Sequence, residues 1–152
     1  MVNPELFNKK FSITLELAKA LAKIIEDKAR EINVNAVVAI SDSEGRPILV
    51  ECMDNSYIAS YDVAVNKAYT VVSLKMPTID LKPLAQPGGS LYGIQFTNDS
   101  KIVIFGGGDP LKADNEIVGG LGVSGGSEEE DTFLSEYGAK AFEKMIELIS
   151  KG

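Results

Sequence analysis

Cys52, Met53, Asp54, Tyr57, Tyr61 and Lys67 gather soft, acidic, phenolic and amine groups into sixteen residues. A thioether or a phenol can ligate or pack on haem, and histidine, the usual iron ligand, is absent from the whole chain. At least one of these six side chains, Met53, Tyr57 and Tyr61 among them, is expected to contact a ligand, and each also reads as a core or interface residue. The missing imidazole removes histidine triads and the HExxH zinc motif as well. Any general base must be Asp, Glu, Lys or Tyr. No spacing singles out a catalytic residue, and no His, Cys or carboxylate set makes a metal motif. Asp62 precedes Lys67 by five residues, off the same helical face, and is expected to act as a helix-end charge.

Glycine supplies the second set of candidates. Gly106, Gly107 and Gly108 precede Asp109 and Pro110, and Gly119, Gly120, Gly122, Gly125 and Gly126 lie within EIVGGLGVSGGSEEED, residues 116–131. Glycine in a strand forfeits packing and costs backbone entropy, so close approach of a backbone or a flat ligand is the expected reason. Gly107 and Gly125 are accordingly candidate binding positions. The clusters match neither GxGxxG nor GxxxxGK[ST]. Ser124–Ser127 leads into a helix N-terminus able to hold an anion, but Glu128, Glu129 and Glu130 already occupy it. The run Glu128–Asp131 is expected to be a solvated first turn.

These groups need a frame, and 152 residues form one domain with a core between layers. The formal charge of −7 excludes a general phosphate-backbone binder, so no nucleic-acid partner is expected. No apolar run approaches the roughly 18 residues of a membrane span, and no signal-peptide core follows Lys9 and Lys10. No membrane partner is expected. The lone Cys52 fits a reducing cytoplasm.

Apolar residues at three- and four-residue spacing predict a helix over 12–32. The runs 36–41 and 47–53 around Asp42–Gly45 predict a hairpin whose first strand is covered on both faces. A second helix is expected over 61–74, capped by Ser60, with Ala64, Ala68, Val71 and Val72 buried and Asn66, Lys67 and Thr70 facing elsewhere. A short helix over 78–84 follows, with Thr78 as its cap. Three strands are then expected, at 91–97, 101–105 and 116–124, before a last helix that starts on the Ser127–Glu130 capping box. The order helix-strand-strand-helix-helix-strand-strand-strand-helix predicts an α+β domain with a five-stranded, mainly antiparallel sheet. Pairing between 36–40 and 116–124 is expected, with the first and last helices on one face. The flat, glycine-rich end of the sheet is the expected contact of a homo-oligomer.

With these motifs in order over residues 12–149, the chain resembles the GlcG/HbpS-like haem-binding proteins, which include the C-terminal domain of PduO-type corrinoid adenosyltransferase. The matching pieces are Asp42–Gly45, Cys52-Met53-Asp54, Asn66–Thr70, Pro77-Thr78, Gln86–Gly89, Phe105–Gly108 and Gly119–Gly126 with Asp131. The resemblance implies a profilin-like or roadblock-like α/β/α domain that assembles into dimers and higher rings. It implies a small-molecule or cofactor-binding role, with haem or a corrinoid as the ligand class. The alternative it carries is a non-catalytic oligomeric accessory protein of a pathway such as glycolate or propanediol utilisation. The adenosyltransferase chemistry belongs to another domain. The histidine that ligates haem in some relatives has no counterpart here, so binding must proceed without histidine ligation.

Overall fold

The computed structural model describes residues 1–152. Helix α1 spans Leu15–Glu31, with the Thr14 hydroxyl accepting from the Leu17 N–H at its start. It buries Ala18, Leu21, Ala22, Ile25 and Ala29, and the chain turns after it at left-handed Asn33. Strands β1 (Val37–Ser41) and β2 (Pro47–Cys52) form the hairpin. Helices α2 (Ala59–Leu74) and α3 (Thr78–Leu84) follow. Strands β3 (Gly108–Ala113) and β4 (Glu116–Ser124) precede α4 (Glu128–Lys151), which opens on the expected capping box.

The sheet has four strands in the order β2-β1-β4-β3, every neighbouring pair antiparallel. Val37–Ser41 pairs with Gly120–Ser124, the long-range pairing expected from the sequence. The predicted fifth strand does not exist. Residues 91–97 and 101–105 are not strands, and a strand stands instead at 108–113. Left-handed Gly93 and a 3-10 turn over Ile94–Phe96 break the first segment, and three successive left-handed residues, Asn98, Asp99 and Ser100, follow it. In the second, the Val103 N–H donates to Thr70 Oγ1 (3.0 Å), which also faces the Lys101 carbonyl (3.3 Å). A helix side chain therefore takes bonds that a neighbouring strand would have made. Pro110, which reads as part of a turn, sits in β3 because β3 is a sheet edge, where a missing N–H costs least.

Three layers result. Val38, Ile40, Leu121 and Val123 join α1 and α4 in the larger core, while Val37 and Ala39 pack on Ala64 and Ala68 of α2. Strand β1 is thus buried on both faces, by helices of its own chain. Two caps differ from expectation. Ser60 lies inside α2 with no capping bond, its Oγ 3.2 Å from Ser124 Oγ, and the Thr78 hydroxyl accepts from the distant Gly108 N–H (2.9 Å). No helix is long and apolar enough to cross a membrane.

The glycines of β4 also differ from expectation. A Cβ on Gly120 would overlap the Ala68 carbonyl oxygen, and one on Gly122 would overlap that of Ala64 and lie 2.8 Å from Ala68 N. Gly108, paired with Gly122, would meet Thr78, Val71 and Lys67. These positions are covered by α2 of the same chain and do not form a subunit contact. Gly122→Ala should therefore push α2 off the sheet, costing about 1–3 kcal/mol by overpacking, or more if the helix cannot yield. Urea unfolding should show it as a lower midpoint, whereas Gly152→Ala, with nothing within 3.8 Å of the added carbon, should leave the midpoint unchanged.

Candidate functional site

Five segments meet at one end of the sheet: the turn after α1, the end of the hairpin, the start of α2, the end of β4 and the start of α4. Between them lies a cleft of about 440 Å3, with Asn33, Asn35, Asn55, Tyr57, Gly125 and Glu130 in its lining. Tyr57 stands at its mouth with 73% of its surface exposed. Gly125 has φ +152°, and a Cβ there would overlap the Asn35 carbonyl oxygen, so this wall is backbone pressed on backbone. Tyr57 and Gly125, distant in sequence, are thus brought to one cleft.

Behind this cleft lies a polar cluster centred on Lys67. Its side chain is fully buried, and Nζ donates to the Val123 carbonyl (2.7 Å) and to Asp131 Oδ2 (3.3 Å). The Phe105 ring centroid is 5.2 Å from the same nitrogen, placing the ammonium on an aromatic face. Asp131 Oδ1 accepts the Gly126 N–H (2.8 Å), so one carboxylate ties the buried amine to the loop that forms the cleft. Gly107 has a place here too. A Cβ on it would sit 2.5 Å from Lys67 Nζ and 2.9 Å from Asp131 Cβ. Burial pushes Lys67 below the ordinary lysine range against the attraction of Asp131, and burial pushes Asp131 up against that of Lys67.

Asp131 is therefore not part of a solvated turn. Glu128 is not simply solvated either. Its Oε2 accepts the Gly106 N–H (2.9 Å), and Oε1 pairs with Lys82. Those bonds, the lysine first, hold its carboxyl below the usual range. Lys67 and Thr70, expected to face away from the core, are both fully buried. A signal was present at position 67, three residues after Ala64 and four before Val71 on the buried stripe. Its partner, 64 residues away, left none.

The other candidate residues lie apart from this cluster. Met53 points inward, its sulfur 3.4 Å from the Ala36 N–H and its side chain against the main core. Tyr61 is half-exposed in the first turn of α2, one turn beyond Tyr57. Asp109, which beside Pro110 reads as a cation ligand or the start of a turn, is buried on β3 and accepts from Ser135 Oγ (2.6 Å). Burial raises its carboxyl to about 6. The Ser135 hydroxyl and Lys140 oppose the rise, and Glu136 and Asp80 add to it.

Two outcomes follow. Lys67→Met should cost about 3–5 kcal/mol in denaturant unfolding, because it strands a buried carboxylate, and Lys67→Met/Asp131→Leu should recover most of that loss. Asp109 has a folded value above its unfolded one, so the folded state holds more protons between about pH 4 and 6. Its contribution to stability must fall as pH rises through that window. Asp109→Asn should remove this fall and leave the protein on the order of 2–3 kcal/mol more stable at pH 7, with no difference below pH 4. Unfolding midpoints measured across pH check both the sign and the window.

A family model described as haem degrading protein HbpS-like matches residues 13–140. An uncharacterised 15.0 kDa protein from the dhaT-dhaS intergenic region of Citrobacter freundii is 42% identical over 134 residues, 88% of this chain and 94% of that one. The crystal structure of Klebsiella pneumoniae protein ORFY superposes with a TM-score of 0.88 at 39% identity, covering 93% of this chain and 97% of that one. A PduOC:heme complex superposes with a TM-score of 0.82 at 33% identity, covering 86% of this chain and 94% of that one. The corrinoid adenosyltransferases PduO are longer, and this chain spans 34–37% of their length. With the match running through the hairpin, the glycine-lined strands and the Lys67–Asp131 end of the sheet, the chain belongs to the HbpS-like family.

Proposed function

We propose that this chain binds a small molecule or cofactor, with haem or a corrinoid as the ligand class, at the cleft between Tyr57 and Gly125. The observation that carries this reading is the exposed phenol of Tyr57 standing at a cleft with a wall of bare backbone. A flat ring can lie against the Asn35–Gly125 backbone, and a phenol can pack on it or ligate its metal. The PduOC:heme complex, 33% identical over most of both chains, supports the ligand class.

The residues present fit a ring held without histidine. Tyr57 offers an outward phenol in the lining and Tyr61 a second one turn along α2, and the Asn35–Gly125 backbone contact supplies the wall. Gly107 acts from behind, leaving room for the Lys67 amine that positions Asp131 and the loop. Met53 does not line the cleft, and its sulfur instead meets the Ala36 N–H behind it. A bound metalloporphyrin would supply redox chemistry at its iron. The chain would orient the ring and shield one of its faces.

The accessory reading keeps a specific observation in its favour. Leu6, Phe7, Phe11, Ile58 and Phe96 are large apolar side chains left exposed, which fits a chain that assembles with copies of itself. The unpaired, exposed Cys52 fits a reducing compartment, and we place the protein in the cytoplasm on that ground.

Titration with haemin, followed by the absorbance band, tests the ligand class. The wild-type protein should saturate at a defined stoichiometry. Tyr57→Phe or Tyr61→Phe should shift the band and weaken binding by roughly tenfold or more, about 1.4 kcal/mol. A flat titration removes haem, and a tight complex unaltered in both variants removes the site.

A further inference from the structure

At the opposite end of the sheet from the Tyr57–Gly125 cleft, a hollow of about 430 Å3 opens on the α2 side of the β3–β4 turn. Four separate segments wall it. The chain before α1 gives Lys10 and Phe11, the hairpin turn gives Ser43, and the end of α2 gives Val72 and Lys75. The β3–β4 connection gives Lys112 with residues 115–117. Amines from three of these segments converge on one hollow, in a chain of formal charge −7. Glu116 is the one carboxylate in the lining, so three lysines leave the hollow a formal charge of +2.

These amines are not consumed by the fold. Lys75 and Lys112 are exposed and belong to none of the ion pairs of the chain. Lys10 Nζ lies 3.4 Å from Glu44, but both side chains are about two-thirds exposed (65% and 68%). Such a pair is weak, and an ammonium has two further N–H groups to offer. Lys75 ends α2 in the left-handed conformation (φ +56°), a place that glycine fills more easily. Lys112 follows the register shift in the β3–β4 ladder, an irregularity that re-aims a side chain. Neither position asks for an amine on structural grounds. Between the lysines, Phe11, Val72 and Ile117 give the hollow an apolar side, with the Phe11 ring largely bare.

We propose that this hollow binds a phosphorylated small organic molecule, with its phosphate among Lys10, Lys75 and Lys112 and its organic part on Phe11, Val72 and Ile117. A phosphate monoester carries a charge of about −2 at pH 7, which balances the lining, whereas a monocarboxylate leaves it half balanced. Lysine ammonium groups serve phosphate oxygens as point charges and need no fixed planar geometry. The apolar side selects an ester over the bare anion, because inorganic phosphate would leave the Phe11 ring in water. Glu116 is the acceptor for a hydroxyl or amine on the organic part. The site is separate from the Tyr57–Gly125 cleft, since Glu116 opens β4 and Gly125 follows its other end.

Isothermal titration of the full chain with phenyl phosphate tests the site. Binding should saturate at one molecule per chain and weaken as salt is raised, because the amines are exposed. Lys75→Glu and Lys112→Glu should each weaken it by about tenfold. Lys19→Glu makes the same change of charge on α1, outside the hollow, and should leave affinity within about twofold. Phe11→Ala should weaken phenyl phosphate while leaving the weaker binding of inorganic phosphate unchanged. Far-UV circular dichroism should match the wild type in all four variants, since each altered side chain is exposed. A titration without saturation overturns the site. An equal loss in Lys19→Glu does so too, by tracing binding to the charge of the whole surface. Benzoate bound as tightly as phenyl phosphate overturns the dianion, and inorganic phosphate bound as tightly overturns the organic ligand.

Discussion

The architecture depends on how closely α2 lies on the sheet. Gly120 and Gly122 form a patch without side chains that the α2 backbone at Ala64 and Ala68 fills, and Gly108 beside them lies under the Thr78, Val71 and Lys67 side chains. Helix and sheet meet there backbone to backbone, a separation that ordinary side chains would prevent. Small residues on both sides make the contact, so little apolar area is buried for its length. The larger core on the opposite face, where α1 and α4 pack, supplies most of the hydrophobic stabilisation.

The same approach gives Lys67 its position. Its stem crosses Gly108 and Gly122, and its amine emerges at the end of β4, where the Val123 carbonyl and Asp131 receive it. A buried ion pair is seldom a net source of stability, because desolvation offsets attraction. Its value lies in specificity. Lys67 joins α2 to the end of β4 and the start of α4, and Asp131 passes that constraint to Gly126 in the cleft. The cleft is thereby shaped by a residue that does not line it, and Gly107 is required for the amine to fit.

Patterns confined to one segment were legible in the sequence. The stripe of α1, the hairpin around Asp42–Gly45 and the Ser127–Glu130 box follow from short-range spacing and local hydrogen bonding, and each is present. The unbroken apolarity of β1 announced its burial on two faces, and the ordered motifs carried the family. Segments 91–97 and 101–105 misled because apolar residues in a short run satisfy either a strand or an irregular segment tied to a helix. The side chain of Thr70 decided between them at 101–105, and left-handed Gly93 with the 3-10 turn after it did so at 91–97.

The sequence by itself determined the helices α1 and α4, the hairpin, the lack of an imidazole ligand and the presence of glycines that demand close approach. Only the tertiary structure decided what approaches them: α2 at Gly120 and Gly122, the Lys67 amine at Gly107, and the Asn35 backbone at Gly125. A glycine records that a side chain is forbidden but carries no mark of its neighbour. In the same way, a lysine and an aspartate 64 residues apart become a pair only when folding excludes the water that would otherwise have solvated each.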